Sequence, residues 1–182
     1  MNLYTELTPN PATLKFVSDR VFLPAGTLDF PTAEAASGQS KIAEKLFKYP
    51  FTKGVFIGRN FVTLTKAEGV NWEDVIPVVK EEIKVFALSG EKFAENLDLT
   101  APQNGETDLE KRIIEVLEDN VRPAVAMDGG DIIFKGIEDG VVKLEMRGSC
   151  SGCPSSTLTL KSGIQSLLMR MFPNDVKAVE AI

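Results

Sequence analysis

Apolar residues fall into two kinds of run along this chain. Short β-branched and aromatic clusters alternate with turn residues in the first half, at "TLKFV", "TLDF", "KGVFIG" and "NFVTLT". Such clusters between Gly, Pro and Asn predict strands, and "GVFIGRNFVTLT" predicts a hairpin turning at Gly58, Arg59 and Asn60. Helical spacing predicts a helix over residues 40–48, with Ile42, Ala43, Leu46 and Phe47 on one face behind a Ser40 cap. Ile76, Val79, Ile83 and Phe86 predict another, starting near Asp74 so that Pro77 falls in the first turn.

The second half follows a different rhythm. Thr107 and Glu110 have capping-box spacing ahead of the stripe Leu109, Ile113, Val116 and Leu117, which predicts a helix ending before Pro123. "DIIFKGI" and "GVVKLEM" flank the turn "EDG" as an antiparallel hairpin. "STLTLKSGIQSLLMRMF" predicts an amphipathic helix presenting Leu158, Ile164, Leu167, Leu168 and Met171, and "VKAVEAI" a third strand. The C-terminal order is therefore α-β-β-α-β. Between the halves, "SGEKFAENLDLTAPQNGE" loses periodicity and gathers Gly, Pro, Asn and charge. The expected organisation is a first domain over residues 1–88, a linker over 89–106 and a second domain over 107–182. The expected class is α+β or α/β, each domain a short mixed or antiparallel sheet with helices packed on it. Nine of the eleven phenylalanines precede residue 94, so the two domains are not repeats.

Composition narrows the chemistry. A net charge of −6 and a pI near 4.8 argue against nucleic acid as partner. No apolar run has membrane-spanning length, and "MNLYTELTPNPATLKF" has the pattern of neither a secretory signal nor a transit peptide. The expected location is cytoplasmic. The chain has no histidine, which rules out Ser-His-Asp and Cys-His catalytic units and His-ligated zinc.

That leaves "MRGSCSGCPSS", which holds both cysteines, Cys150 and Cys153. A reducing compartment disfavours a structural disulfide, so the pair binds metal or does redox chemistry. It stands between a predicted strand and a predicted helix start, where Pro154 and Ser155 or Ser156 resemble a first-turn proline and a cap. Helix-start charge there favours thiolate. Gly148 and Gly152 let the backbone bend around a bulky ligand. Tetrahedral zinc and iron–sulfur centres take four protein ligands, whereas one chain offers two sulfurs and no imidazole. A metal site therefore implies a homodimer, or a higher oligomer, with paired Cys-x-x-Cys loops. Two alternatives remain open: a thiol–disulfide oxidoreductase and an interaction protein holding structural zinc through four cysteines. Asp128, Gly129, Gly130 and Asp131 read as a turn rather than an acidic metal loop, and Pro9, Asn10 and Pro11 as a rigid turn. Lys161 and Arg170 read as a solvated face, and Met169 and Met171 as core or interface filler.

"DNVRPAVAMDGGDI", "GSCSGCPSSTLTLKSGI" and "VKAVEAI" resemble the C-terminal domain of NifU-like iron–sulfur scaffold and carrier proteins. "TPNPATLKF" and "KGVFIGRNFVTLTK" resemble the N-terminal domain of the Nfu type of that family. Met146 stands where a leucine is common. The resemblance implies a non-enzymatic carrier that holds a labile cluster, generally [4Fe–4S], across the pairs of two subunits. It implies Cys150 and Cys153 as ligands, apo iron–sulfur proteins as clients and cluster-assembly proteins upstream.

Overall fold

The computed structural model describes residues 1–95, 105–151 and 154–182, the side chains of residues 154–156 excepted. Positions 96–104 of the expected linker, and Gly152 and Cys153, lie outside the described residues. The chain divides into two compact units, Met1–Thr100 and Ala101–Ile182.

The first unit is built on five antiparallel strands: β1 (Leu3–Leu7), β2 (Thr13–Ser18), β3 (Leu28–Phe30), β4 (Thr52–Ile57) and β5 (Phe61–Lys66), in spatial order β1-β2-β5-β4-β3. Alternation along the strands sends Leu14, Phe16, Val55, Ile57, Val62 and Leu64 to one face. That face packs against helices α1 (Ala33–Ala36), α2 (Lys41–Phe47) and α3 (Trp72–Ser89), which contribute Ile42, Leu46, Val79, Ile83 and Phe86. The hairpin closes at Gly58 as expected, with its N–H donating to Phe61 O at 2.9 Å. Ser40 caps α2 by accepting from Ala43 N–H.

Three features of this unit depart from expectation. β1 forms without a clear sequence signal, and its turn into β2 is held by Asn10. The Asn10 side chain accepts from Ala12 N–H (3.0 Å), and its carbonyl accepts from Thr13 N–H (2.9 Å) and the Thr8 hydroxyl (2.8 Å). α3 begins at Trp72 rather than near Asp74, so Pro77 lies inside the helix. Trp72 packs on the core and its indole N–H donates to Pro11 O at 3.2 Å, which accounts for the earlier start. Finally, Phe93, in the segment expected as linker, is 5% exposed and stacks on Phe22 with ring centroids 4.2 Å apart. The Ser40 hydroxyl donates to Phe93 O at 2.7 Å, so the chain is fastened to the first unit up to Glu95.

The second unit runs α4 (Asp108–Asn120), α5 (Arg122–Met127), β6 (Gly130–Glu138), β7 (Val141–Gly148), α6 (Pro154–Met171) and β8 (Ala178–Ala181). Its sheet has the order β6-β7-β8, with β6 and β7 antiparallel and β7 and β8 parallel. A parallel neighbour needs a crossover, which α6 supplies. Both halves of the Thr107–Glu110 capping box are made. Asp139 and Gly140 turn the hairpin with φ of 51° and 83°, the left-handed pair a two-residue turn favours.

The unit differs from the expected order by one helix. Pro123 was expected beyond a helix end, but it sits in the first turn of α5, where its missing N–H costs nothing. α6 also buries less than its stripe predicts. Ile164, Leu168 and Phe172 are in the core, while Leu158 is 64% exposed and Met171 50%. Leu158 lies about 120° round the helix from Ile164, and Met171 is the last helical residue. Met169 is exposed as well, so neither methionine fills this core. The outward-facing Val179 N–H of edge strand β8 is taken by the Gln165 side-chain oxygen at 3.0 Å. Among the described residues, no helix is long and apolar enough to cross a membrane.

Candidate functional site

Cys150 lies two residues beyond the end of β7. Gly148 closes the strand at φ 66°, a conformation glycine adopts without cost, and turns the chain toward α6. Ser151 then fastens the loop, its N–H and hydroxyl both donating to Gly148 O at 3.1 and 2.9 Å. On the helix side, the Thr157 hydroxyl donates to Cys150 O at 3.0 Å.

Beneath the loop lies the segment from α5 to β6. Ser149 donates twice to it, through its N–H to Gly129 O at 3.3 Å and through its hydroxyl to Asp128 O. Gly129 has φ 84°, so the expected glycine turn is made by Asp128 and Gly129, while Gly130 and Asp131, expected in the same turn, already belong to β6. Gly130 pairs with Gly148 across the sheet and lies against the thiol. A Cβ there would fall 2.8 Å from Cys150 Sγ and 2.5 Å from Arg147 O. Asp131, 3% exposed, accepts both prongs of the Arg122 guanidinium, Nε to Oδ1 at 2.8 Å and Nη2 to Oδ2 at 2.7 Å. Its Oδ1 also accepts Ile132 N–H at 2.8 Å, and Arg122 reaches Glu118 with its remaining prong. Asp131 holds the Arg122 guanidinium further toward its charged form than usual; burial opposes this and Glu118 adds to it.

The electrostatics correct one expectation. Cys150 is 6% exposed and belongs to the second unit's apolar core. Burial pushes its thiol up to about 11, against a weaker opposite pull from the Ser149 hydroxyl, and the charges of Asp128 and Asp131 push it further up. The thiolate expected from the helix start is outweighed because removal from water penalises the charged form.

Of the two expected ligands, the structure places Cys150 and Cys153 lies outside the described residues. Arg170 is exposed near the end of α6 and Lys161 half-buried on it. Among the described residues, no group of three or more His, Cys, Asp or Glu side chains converges as a metal site. Sequence reasoning missed Ser149, Gly130 and the Arg122–Asp131 fork. Only the doubled glycine was visible as a signal, and it points to a turn without saying what rests on it.

Comparison with known proteins assigns both units. The family described as scaffold protein Nfu/NifU N terminal matches residues 3–90, and the NifU-like domain family matches residues 113–180. The human protein named NFU1 iron-sulfur cluster scaffold homolog, mitochondrial, is 40% identical over 185 residues, covering 100% of this chain and 72% of its own length. NifU-like protein 4, mitochondrial, from Arabidopsis thaliana is 39% identical over 187 residues, covering 99% of this chain and 65% of its own. A solution structure of a NifU-like protein from Saccharomyces cerevisiae aligns with 53% of this chain and 87% of its own, at 23% identity and TM-score 0.48. The chain belongs to the Nfu family of NifU-like iron–sulfur cluster scaffold proteins. The cytoplasmic expectation is overturned at the same point, because the human and Arabidopsis relatives are both named mitochondrial.

Proposed function

We propose that this chain is a non-enzymatic carrier that holds a labile [4Fe–4S] cluster between the Cys150 and Cys153 pairs of two subunits and passes it to apo-proteins. A mitochondrial location is supported by the names of its relatives. The observation that carries the reading is the fixed placement of Cys150. The Ser149, Ser151 and Thr157 bonds hold the loop, and the sulfur rests on the backbone of Gly130. Two cysteine thiols per chain and no histidine leave the four-ligand requirement to be met by a second copy, so the loaded form is a homodimer.

Loading replaces each thiol proton with an iron–sulfur bond and releases that proton. In transfer, an incoming client thiolate takes an iron coordination position as a carrier thiolate leaves and is protonated. No electron moves and no acid–base residue is required. Upstream assembly proteins deliver the cluster and apo iron–sulfur proteins receive it.

Anaerobic reconstitution of the full chain with iron and sulfide tests this. The expected product is brown, absorbs broadly near about 400 nm, contains one cluster per two chains and has the mass of a dimer. Cys150→Ala and Cys153→Ala each lose the colour. A colourless monomer without sulfide overturns the reading, and zinc without sulfide turns it into the zinc-holding interaction protein.

A further inference from the structure

We propose that Arg122 and Asp131 are positioning residues for Cys150. Their ion pair sets the glycine floor on which the thiol rests, and thereby the direction in which the sulfur is offered to a cluster. The inference rests on the carrier reading for its purpose and on the hydrogen bonds and the packing at Gly130 for its geometry.

Arg122 opens α5 and Asp131 is the second residue of β6, so their fork joins the two ends of one short segment. Everything between them, helix and turn, is closed into a loop. The turn inside that loop receives the cysteine segment. Asp128 O and Gly129 O accept from Ser149, and Gly130, bonded directly to Asp131, leaves no room for a Cβ beside Cys150 Sγ and Arg147 O. From guanidinium to sulfur the path is therefore one fork, one peptide link and one packing contact.

The choice of a charged pair here is informative. A buried ion pair is weak evidence for stability, because desolvation offsets most of its attraction. An apolar pair would fill the same space but leave the segment's angle free. A planar guanidinium bound at two points fixes direction as well as distance. The Asp131 side chain is only 4% exposed, and its Oδ1 additionally holds Ile132 N–H, so the carboxylate sets strand backbone and helix start together. Glu118 on α4 extends the clamp to a third element.

The test uses the full chain carrying Cys153→Ala, in which Cys150 is the only thiol, and reads the rate at which iodoacetamide alkylates it under native conditions. R122K keeps the charge and loses the fork; R122Q/D131N removes both charges. Leu168→Ala, in the core of the same unit but outside the clamp's hydrogen bonds, serves as a control chosen to lower the melting temperature comparably. Both clamp variants are expected to raise the alkylation rate about tenfold through local opening of the floor, and Leu168→Ala less than about threefold. Equal acceleration at equal loss of melting temperature reduces the pair to ordinary stabilisation and overturns the proposal. So does an unchanged rate in R122Q/D131N. If that double variant does not fold, R122K decides alone. In the two-cysteine protein after reconstitution, R122K is expected to change the visible circular dichroism of the cluster and to speed its loss to a chelator. A parent that takes up no cluster overturns the carrier reading, and the alkylation rates then decide the positioning role by themselves.

Discussion

Replacing Gly130 with alanine adds one methyl group where the second unit has no room for it. The new carbon would stand 2.5 Å from Arg147 O, 2.8 Å from Cys150 Sγ and 3.3 Å from Cys150 N. The closest neighbour is a backbone oxygen of the paired strand, so no side-chain rotation relieves it. Ordinary separation requires the two strands, or the strand and the cysteine loop, to part by roughly 1 Å. Overpacking of this kind costs about 1–3 kcal/mol. Alanine's restriction of the unfolded chain returns at most about 0.4–1 kcal/mol. Unlike Gly129, Gly130 does not have positive φ, so the loss is steric rather than torsional. With about 4–8 °C per kcal/mol for a unit of this size, the melting temperature should fall by roughly 5–15 °C. The displacement falls on the sulfur, so cluster content after reconstitution should drop out of proportion to the loss of folded protein. Thermal melts by circular dichroism, with iron and sulfide per folded chain, measure both effects. Gly163→Ala is the internal comparison: nothing lies within 4 Å of its Cβ, and it sits inside α6, where alanine gains up to about 1 kcal/mol. A Gly130→Ala protein that melts with the parent and loads a full cluster would falsify close packing at the floor.

Burial raises the Cys150 thiol from 9.0 to about 11, so folding favours its protonated form. The stability difference between parent and Cys150→Ala should stay constant below pH 9 and then shift against the parent by about 2–3 kcal/mol as pH rises to 11, read by urea unfolding at each pH. A flat difference across that range would mean that the sulfur reaches water. Phe93→Ala should destabilise the first unit by about 3–5 kcal/mol, with denaturant midpoint as the measure, whereas a residue in a free linker would shift nothing. Ser40→Ala removes the hydroxyl donor to Phe93 O and the α2 cap together, and should cost about 1–3 kcal/mol in the same assay.

Where a local rule and the tertiary structure agree, residues alone sufficed to read the fold. Gly58–Asn60, Thr107 with Glu110 and Asp139–Gly140 mark turns and a cap through interactions within three or four positions. β1 was not legible because its partner lies across a turn and its side chains are largely half-exposed; Tyr4 pairs with Val17 and Thr5 with Phe16. Pro123 was ambiguous, since proline both follows helix ends and opens helices. Phe93 stands among charged and small residues, so only the stack on Phe22 reveals where it belongs. At the site, the thiols and their spacing were plain, but the floor was not. Ser149 and Asp128 are 21 positions apart, and nothing near Gly130 in sequence announces a sulfur. The ionisation of Cys150 was misread for the same reason: a helix start is local, whereas burial is decided by the whole unit.

Gln165 guards one edge of the second unit's sheet. An edge strand offers unpaired backbone groups to foreign strands, and β8 is one of the two edge strands of this sheet. By taking the outward Val179 N–H into its own side chain, Gln165 removes one donor that a foreign strand could use at the β8 edge. With β8 only four residues long, little template is left for accretion. At high concentration, Gln165→Ala should therefore precipitate before the parent does.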